Sequence, residues 1–242
     1  TRKELKKRTL SAFRRPGEDW FILDPTADDF LERTKECSGF IISGSPRSVV
    51  EDADSTLVTS LLNFIRTTVE RTCIPIVGLC FGAQAIAAAM GGRVGRNPSS
   101  QFKLGVERLA WSTTAAELLG SVAVNRPTVL VESHGECITN LPPGGITLAS
   151  SATASQEVFL LADRILGIQG HPEFDQATLR QHFMPFHRAL FTEEQWARVM
   201  NESNQALAPG EVIRLVQSLL DEGRLPIKSS SPAVCELENA TG

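Results

Sequence analysis

A cysteine between two glycines is the first place in the chain where the residue types could do covalent chemistry. Residues 78–82 read Gly-Leu-Cys-Phe-Gly, after a short apolar run at 73–77 and before the helix-forming residues 85–90. Glycines two positions on each side of Cys80 permit the sharp strand-to-helix turn and close packing of a nucleophile elbow. The N-terminus of the following helix favours the thiolate, the form that attacks a carbonyl carbon. Alone, a cysteine after an apolar strand is more often an inert core residue.

A second, distant stretch supplies a base and a carboxylate. An apolar lead-in at 165–168 runs towards His171, Pro172 and Glu173. In extended backbone, positions i and i+2 point to the same side, so Glu173 can orient His171 while Pro172 stiffens the segment between them. A thiol, an imidazole and a carboxylate that holds the imidazole can perform nucleophilic catalysis. The sequence therefore predicts a catalytic triad of Cys80, His171 and Glu173.

These motifs resemble the class-I glutamine amidotransferase family over about residues 18–190. The resemblance rests on residues 78–84 together with the His-Pro-Glu motif at 171–173. Residues 167–174, Gly-Ile-Gln-Gly-His-Pro-Glu-Phe, more narrowly resemble the γ-glutamyl peptidase-like branch, where Gly commonly precedes the histidine and many amidotransferases carry Phe. The resemblance implies cysteine-dependent hydrolysis of a γ-glutamyl amide through a γ-glutamyl thioester, with no metal or organic cofactor.

The resemblance also implies an oxyanion hole and a set of substrate contacts. The backbone N–H of Phe81 is expected as one oxyanion donor, and the turn at Gly44 and Ser45 as the source of the second. The family usually has Gly where Ser45 stands, and Ser tolerates positive φ less readily. Gln84 is expected beside the γ-glutamyl group. The backbone of four consecutive residues is expected around the α-amino and α-carboxylate groups: Ser133, His134, Gly135 and Glu136. We interpret the His134 side chain as structural, because no acid partner is evident in the sequence.

Composition limits the class of protein. The 242 residues are 42% hydrophobic, which suits one sizeable core. The net charge of −4 is not typical of nucleic-acid-binding proteins, which carry basic patches. No apolar run approaches the ~18–20 residues needed to span a bilayer, and no secretory signal is evident. Five cysteines without disulfide or metal spacing favour reduced thiols in a cytoplasmic protein. His182 and His187 are five residues apart, so we predict no metal site there.

Alternation of strand and helix patterns predicts the fold class. Strands are expected at 20–24, 39–43 and 73–77, with helices between them, in a doubly wound α/β fold with a mostly parallel central sheet and helices on both faces. This is the flavodoxin-like, class-I glutamine amidotransferase fold that the resemblance implies. A small antiparallel extension is expected from five further strands, the last of which delivers His171: 102–109, 128–133, 146–149, 157–161 and 165–168.

The expected domain organisation is a single domain at 1–222 followed by a disordered tail at 223–242. Helices are expected near 175–190, 192–206 and 210–222. The resemblance implies a strand before the region of residues 1–17, which are polar and basic and suit a solvated helix or loop. We expect that strand to precede Thr1; the alternative is a sheet that lacks it.

Three functions are compatible with this pattern. A stand-alone γ-glutamyl peptidase would act on a small γ-glutamyl substrate such as glutathione or a conjugate. A glutaminase would release ammonia from glutamine, either alone or for a synthetase partner. A non-catalytic scaffold would keep the fold for partner binding, but the presence of all three triad residue types disfavours it. No nucleic-acid or membrane partner is expected.

Overall fold

The computed structural model describes residues 2–120 and 126–225. Nine strands are described: β1 (Phe40–Ile42), β2 (Ile76–Leu79), β3 (Arg93–Arg96), β4 (Lys103–Trp111), β5 (Thr128–His134), β6 (Glu136–Asn140), β7 (Ile146–Ser150), β8 (Val158–Leu161) and β9 (Ile165–Ile168). Seven form one sheet in the order β1-β2-β9-β8-β7-β4-β5, and β3 pairs with β6 in a separate two-stranded sheet.

Helices precede, separate and follow these strands. The first five are α1 (Arg2–Phe13), α2 (Phe30–Thr34), α3 (Thr56–Arg71), α4 (Phe81–Ala89) and α5 (Thr113–Leu119). After β9 come α6 (Gln176–Thr178), a π-helical turn (Leu179–Phe183), α7 (Met184–His187), a 3₁₀ turn (Arg188–Leu190), α8 (Glu193–Glu202) and α9 (Gly210–Glu222). The three helical regions predicted after β9 are therefore present.

The pairing pattern divides the large sheet into two parts. β1, β2 and β9 are parallel, and β9 then pairs antiparallel with β8, followed by further antiparallel pairs out to β5. The predicted α/β class with an antiparallel extension is confirmed, although the last of the five strands expected in that extension, β9, also pairs parallel with β2. β9 belongs to both parts, because it pairs with β2 on one side and β8 on the other.

Helices cover both faces of the parallel strands. On one face, Val77 of β2 lies in an apolar cluster with Phe13 of α1 and Val216 of α9. Its neighbour Ile76 points to the other face and packs in a cluster with Ile65 of α3. Successive residues of a strand point to opposite faces, so β2 is buried along its whole length.

The prediction of a strand at 20–24 is wrong. The segment has no regular secondary structure, and Phe21 and Ile22 are about half exposed. Strand preference is realised only where a neighbouring edge offers hydrogen bonds and burial. Sequence reasoning also missed β3 and β6, whose polar residues give no clear alternation and which are strands because they pair with each other.

The ends of the predicted domain are partly described. Residues 4–17, expected to be a solvated helix or loop, lie mainly in α1, whose Phe13 is buried in the core. Leu225 is also buried, and its backbone N–H donates to the Asp163 carbonyl. Residues 223–225 of the tail predicted at 223–242 are thus described, with Leu225 packed against the domain, and residues 226–242 lie outside the described residues.

Among the cysteines of the described residues, Cys37, Cys80 and Cys137 are free thiols. Cys73 is disulfide-bonded, which differs from the expectation of reduced thiols. Pairing depends on how close two cysteines come in space, and sequence spacing does not show this. Among residues 2–120 and 126–225, no helix combines the length and apolar character required to cross a bilayer.

Candidate active site

The carboxyl ends of the three parallel strands meet at one edge of the sheet. Gly44 follows β1, Cys80 follows β2 and His171 follows β9. The register aligns Leu79 with Ile168, and the backbone N–H of Cys80 donates to the Ile168 carbonyl at 2.8 Å. Parallel strands that are adjacent in the sheet end side by side, so residues 91 positions apart in the chain become neighbours.

Cys80 occupies a strained turn between β2 and α4. Its φ of 50° and ψ of −105° are unusual for a non-glycine residue, and such conformations cluster at functional sites. A Cβ at Gly78 would lie 2.5 Å from backbone atoms of Gly82, and a Cβ at Gly82 would lie 2.0 Å from the Ile42 carbonyl oxygen. Both glycines are required by close backbone approach, as the elbow motif predicts.

His171 is held in place by backbone and side-chain contacts. Its N–H donates to the Val131 carbonyl at 2.8 Å, which ties the segment after β9 to β5. Its Nδ1 lies 2.9 Å from Glu173 Oε1, so Nε2 is the ring nitrogen left for the sulfur. The ring stacks on Phe174 at a centroid distance of 4.9 Å and also packs near Phe183. Sequence reasoning missed these two aromatic supports.

The side chains of Cys80, His171 and Glu173 are buried together and electrostatically coupled. They are 6%, 4% and 6% exposed, and the Cys80 sulfur and the Glu173 carboxylate both act electrostatically on the His171 ring. Burial by itself lowers the pKa of His171, but the Glu173 carboxylate and the Cys80 sulfur hold that pKa well above its usual value. An imidazolium beside the sulfur favours the nucleophilic thiolate.

Gly44 and Phe81, two of the residues expected to supply oxyanion donors, lie beside Cys80. A Cβ at Gly44 would lie 2.8 Å from His171 Cε1 and 3.7 Å from Cys80 Cβ, so only glycine fits without displacing the imidazole. Ser45 is not among the described residues with positive φ, so serine causes no backbone strain there. Phe81 is the first residue of α4, and its N–H therefore has no carbonyl partner within that helix.

The expected substrate-binding residues form one connected group, not a long loop. Ser133 and His134 end β5, Gly135 is the turn, and Glu136 begins β6. Gln84 is buried, and its Nε2 donates to the Glu136 carbonyl at 2.8 Å. The Cys80 sulfur lies 3.9 Å from the Ser133 carbonyl oxygen.

Gln169 is a further residue of the site that sequence reasoning missed. It is fully buried, and its Nε2 lies 3.7 Å from the Cys80 sulfur. Its Oε1 accepts a hydrogen bond from Gln84 Nε2 at 3.3 Å. Gln169 thus links the nucleophile to the β5–β6 turn. Its position two residues before His171, in the apolar lead-in, was the available signal.

Two acidic side chains lie beside His134 in the structure, those of Glu132 and Glu157. His134 Nε2 lies 3.3 Å from Glu132 Oε2, and both side chains are buried beside Glu157. Burial raises the pKa of Glu132 to about 8, raises the pKa of Glu157 well above its usual range, and lowers the pKa of His134. The structure thus places two buried acids beside His134 that the sequence did not reveal, and the interpretation of the His134 side chain as structural stays a prediction.

Gly170 leaves the space that the Glu132 carboxylate occupies. A Cβ at this position would lie 2.2 Å from Glu132 Oε1. We expect Gly170→Ala to lower the free energy of unfolding by ~1–3 kcal/mol, because either the carboxylate or the backbone before His171 must move. Urea denaturation measures the change. Gly95→Ala in β3 is the matched control, because the nearest contact of its Cβ would be an ordinary 3.5 Å to Thr139. Equal losses in both variants would contradict this explanation.

A family model described as glutamine amidotransferase class-I matches residues 6–188. A Saccharomyces cerevisiae protein named as a glutamine amidotransferase is 37% identical over 120 residues, which are 50% of this chain and 46% of that protein. Gamma-glutamyl peptidase 3 of Arabidopsis thaliana is 25% identical over 209 residues, 84% of this chain and 82% of that protein. The glutamine-hydrolysing GMP synthase of Mycobacterium bovis is 31% identical over 153 residues, 63% of this chain and 26% of that protein.

Solved structures agree on the fold. A glutamine amidotransferase from Methylobacillus flagellatus superposes with a TM-score of 0.59 at 21% identity, over 83% of this chain and 85% of that chain. At this identity the likeness concerns the fold alone. The family model, by contrast, spans most of the chain and includes the cysteine elbow and the His-Pro-Glu segment. The chain therefore belongs to the class-I glutamine amidotransferase family.

Proposed function

We propose that this protein hydrolyses a γ-glutamyl amide bond and acts as a stand-alone γ-glutamyl peptidase. The observation that carries the proposal is the buried group of Cys80, His171 and Glu173, in which the imidazole is hydrogen-bonded to the carboxylate and interacts electrostatically with the sulfur. A nucleophile, a base and a group that orients the base are the three parts of covalent acyl-transfer catalysis.

The first half-reaction forms a thioester. The Cys80 thiolate attacks the γ-carbonyl carbon, and the backbone N–H groups of Phe81 and the Gly44–Ser45 turn stabilise the oxyanion. His171 then donates its Nε2 proton to the nitrogen of the leaving amine as the carbon–nitrogen bond breaks. Glu173 keeps the imidazole in the required tautomer and stabilises its charged form.

The second half-reaction releases glutamate. His171, now neutral, takes a proton from a water molecule, and the resulting hydroxide adds to the thioester carbonyl. The carbon–sulfur bond breaks and the thiolate of Cys80 is regenerated beside the imidazolium. Gln169 supports this step, because its amide N–H lies where it can donate to the departing sulfur.

The share of each relative's length that this chain matches favours a peptidase. The match to the Arabidopsis γ-glutamyl peptidase runs along most of both proteins, whereas the match to the GMP synthase covers 26% of that enzyme. Gly170 supports the same choice. The Glu132 carboxylate fills the space beside it, so a phenylalanine there, as in many amidotransferases, would not fit.

A second candidate is an ammonia-supplying glutaminase that works with a synthetase. The 31% identity to the glutamine-hydrolysing GMP synthase over 63% of this chain supports it. The chemistry on Cys80 would be unchanged, and only the leaving group would differ, being ammonia instead of an amino acid or peptide.

One panel of substrates separates the candidates. Purified protein is incubated with glutamine, glutathione and a γ-glutamyl dipeptide, and free glutamate, ammonia and the released amine are measured. We expect glutamate and cysteinylglycine from glutathione, or glutamate and an amino acid from the dipeptide, with little ammonia from glutamine. The Cys80→Ala variant gives the background.

Two other results would contradict the peptidase assignment. Ammonia release from glutamine that rises sharply on addition of cell extract would indicate a glutaminase with a synthetase partner. No turnover of any substrate, together with no labelling of Cys80 by a glutamine-mimicking electrophile, would indicate a non-catalytic scaffold.

A further inference from the structure

Three buried side chains outside the proposed triad converge next to the β5–β6 turn. Glu132 and His134 come from β5, and Glu157 immediately precedes β8. They are 0%, 4% and 0% exposed, and one ligand-type atom from each lies within 4.8 Å of the other two. The catalytic scheme above gives none of these side chains a task.

The hydrogen bonds of His134 fix which of its nitrogens carries a proton. Asn97 Nδ2 donates to the carbonyls of Gln101 and His134, so Asn97 Oδ1 is the atom that faces His134 Nδ1 at 3.1 Å. The Glu136 carbonyl oxygen lies 3.0 Å from the same nitrogen. Both neighbours are acceptors, so Nδ1 carries the hydrogen and Nε2 presents a lone pair.

That lone pair faces further acceptors. His134 Nε2, both carboxylate oxygens of Glu132 and Glu157 Oε2 are buried and have no hydrogen-bond partner. Nε2 and Glu132 Oε2 lie 3.3 Å apart, out of hydrogen-bond alignment. When both carboxyl groups are ionised, these four atoms are all acceptors and repel one another, so the group needs either a proton or a cation between them.

We propose that Glu132, His134 and Glu157 bind a divalent cation, namely Zn²⁺. An imidazole Nε2 and carboxylate oxygens are zinc ligands. Two ligand atoms that each lie ~2.1 Å from a tetrahedral ion are separated by about the 3.3 Å observed between His134 Nε2 and Glu132 Oε2. The Nδ1–H of His134 points to a backbone carbonyl and an amide oxygen, which is how metal-bound histidines are usually oriented. Mg²⁺ and Ca²⁺ prefer oxygen-only sites.

The ion would have a structural task that explains the burial of these residues. Glu132 and His134 flank Ser133, whose carbonyl oxygen lies 3.9 Å from the Cys80 sulfur. Binding to Glu157 as well would fasten this segment of β5 to the start of β8. Glu132 also packs against Gly170, the residue before His171. The cation therefore holds two segments of the proposed site together without touching the reacting atoms.

Metal analysis of the purified protein tests the proposal. The protein is prepared with a tag that contains no histidine, dialysed with Zn²⁺ and then against metal-free buffer, and measured by mass spectrometry of the elements. We expect about one zinc per chain. Glu132→Gln and Glu157→Gln should each weaken zinc binding by more than the ~10–100-fold that loss of a second-shell partner causes.

Glu107→Gln is the matched control. Glu107 is a mostly buried acid whose charge acts on both Glu132 and Glu157, but its carboxylate accepts from Thr153 and lies outside the group of three. The control variant should retain zinc, and a chelator should lower the melting temperature of wild type and control but not of Glu157→Gln. Equal loss of zinc in the control would overturn the assignment of ligands.

Cobalt spectroscopy tests the site without any variant. Co²⁺ exchanged for zinc should show ligand-field bands and no sulfur-to-metal charge-transfer band, because the proposed donors are nitrogen and oxygen. A charge-transfer band would move the ion to a cysteine and overturn the proposal. Failure of the wild-type protein to retain any divalent ion would also overturn it, and would leave shared protons as the means of neutralising these carboxylates. None of these outcomes depends on whether the protein is a peptidase.

Discussion

Replacement of Cys80 by alanine is expected to abolish release of glutamate from every γ-glutamyl substrate, a loss of ~10⁶-fold in kcat if chemistry limits turnover. The reason is that the thioester forms on this sulfur and no neighbouring group can replace it. The fold should persist, because alanine removes one buried atom and keeps the same positive-φ backbone cost as cysteine. Glutamate release and circular dichroism measure the two effects.

Cys37→Ala is the control for this experiment. Cys37 is also a free thiol, but it is partly exposed near the end of α2 and far from the strand ends that form the site. The control should keep full activity, and a glutamine-mimicking electrophile should label Cys80 in both wild type and control. Full activity of Cys80→Ala would refute the mechanism.

Replacement of Glu173 by glutamine should have the second largest effect, lowering kcat by up to ~10⁴-fold. The amide is nearly the same size as the carboxylate but carries no charge, and it can present the wrong group to His171 Nδ1. The imidazole then loses both its orientation and the charge that stabilises its protonated form. Steady-state kinetics across a range of pH measure both consequences.

The pH profile distinguishes this explanation from a general structural defect. The Glu173 carboxylate raises the pKa of His171, so in wild type the imidazolium that protonates the leaving amine persists to higher pH than the imidazolium of an ordinary histidine. Activity should fall only as the pH rises through that raised pKa. In Glu173→Gln the pKa of His171 drops, and the alkaline limb of kcat/KM should move to lower pH.

Glu70→Gln supplies the comparison for the pH profile. Glu70 is an exposed carboxylate near the end of α3, so its loss changes the net charge by the same amount without touching His171. The alkaline limb of kcat/KM for the Glu70→Gln variant should coincide with that of wild type. A Glu173→Gln profile that kept the wild-type limb while kcat fell would show that Glu173 does not set the protonation of His171.

Local sequence was sufficient to predict the elements that carry the chemistry. The glycines around Cys80 permit one kind of turn, and the structure shows that both are required by close backbone contacts. The order of apolar strands and amphipathic helices predicted the α/β class, since burial on one or both faces leaves a periodicity of two or of 3.6 residues. The His-Pro-Glu spacing likewise predicted that Glu173 meets the His171 ring, and the two lie 2.9 Å apart.

Tertiary structure decided the features that depend on distant partners. Residues 20–24 have strand-forming side chains but no pairing edge, whereas the polar segments of β3 and β6 are strands because they meet each other. Gln169, Phe174 and Phe183 join the site only because β9 lies beside β2 and the helices after it fold back over His171. The local sequence pattern shows that a face is buried, but it does not show which distant segment packs against that face or hydrogen-bonds to it.

The group of Glu132, His134 and Glu157 shows most clearly which features local sequence does not predict and tertiary structure decides. Each residue is ordinary in its own stretch of sequence, and none has metal-ligand spacing to the next. β5 and β8 are not neighbours in the sheet, yet tertiary packing brings the side chains of Glu132, His134 and Glu157 into one buried space. The sequence alone predicted the type of fold and the residues proposed as nucleophile and base, because those predictions depend on neighbouring residues. Only the tertiary structure determined which buried charges face one another, because that depends on packing across the whole sheet.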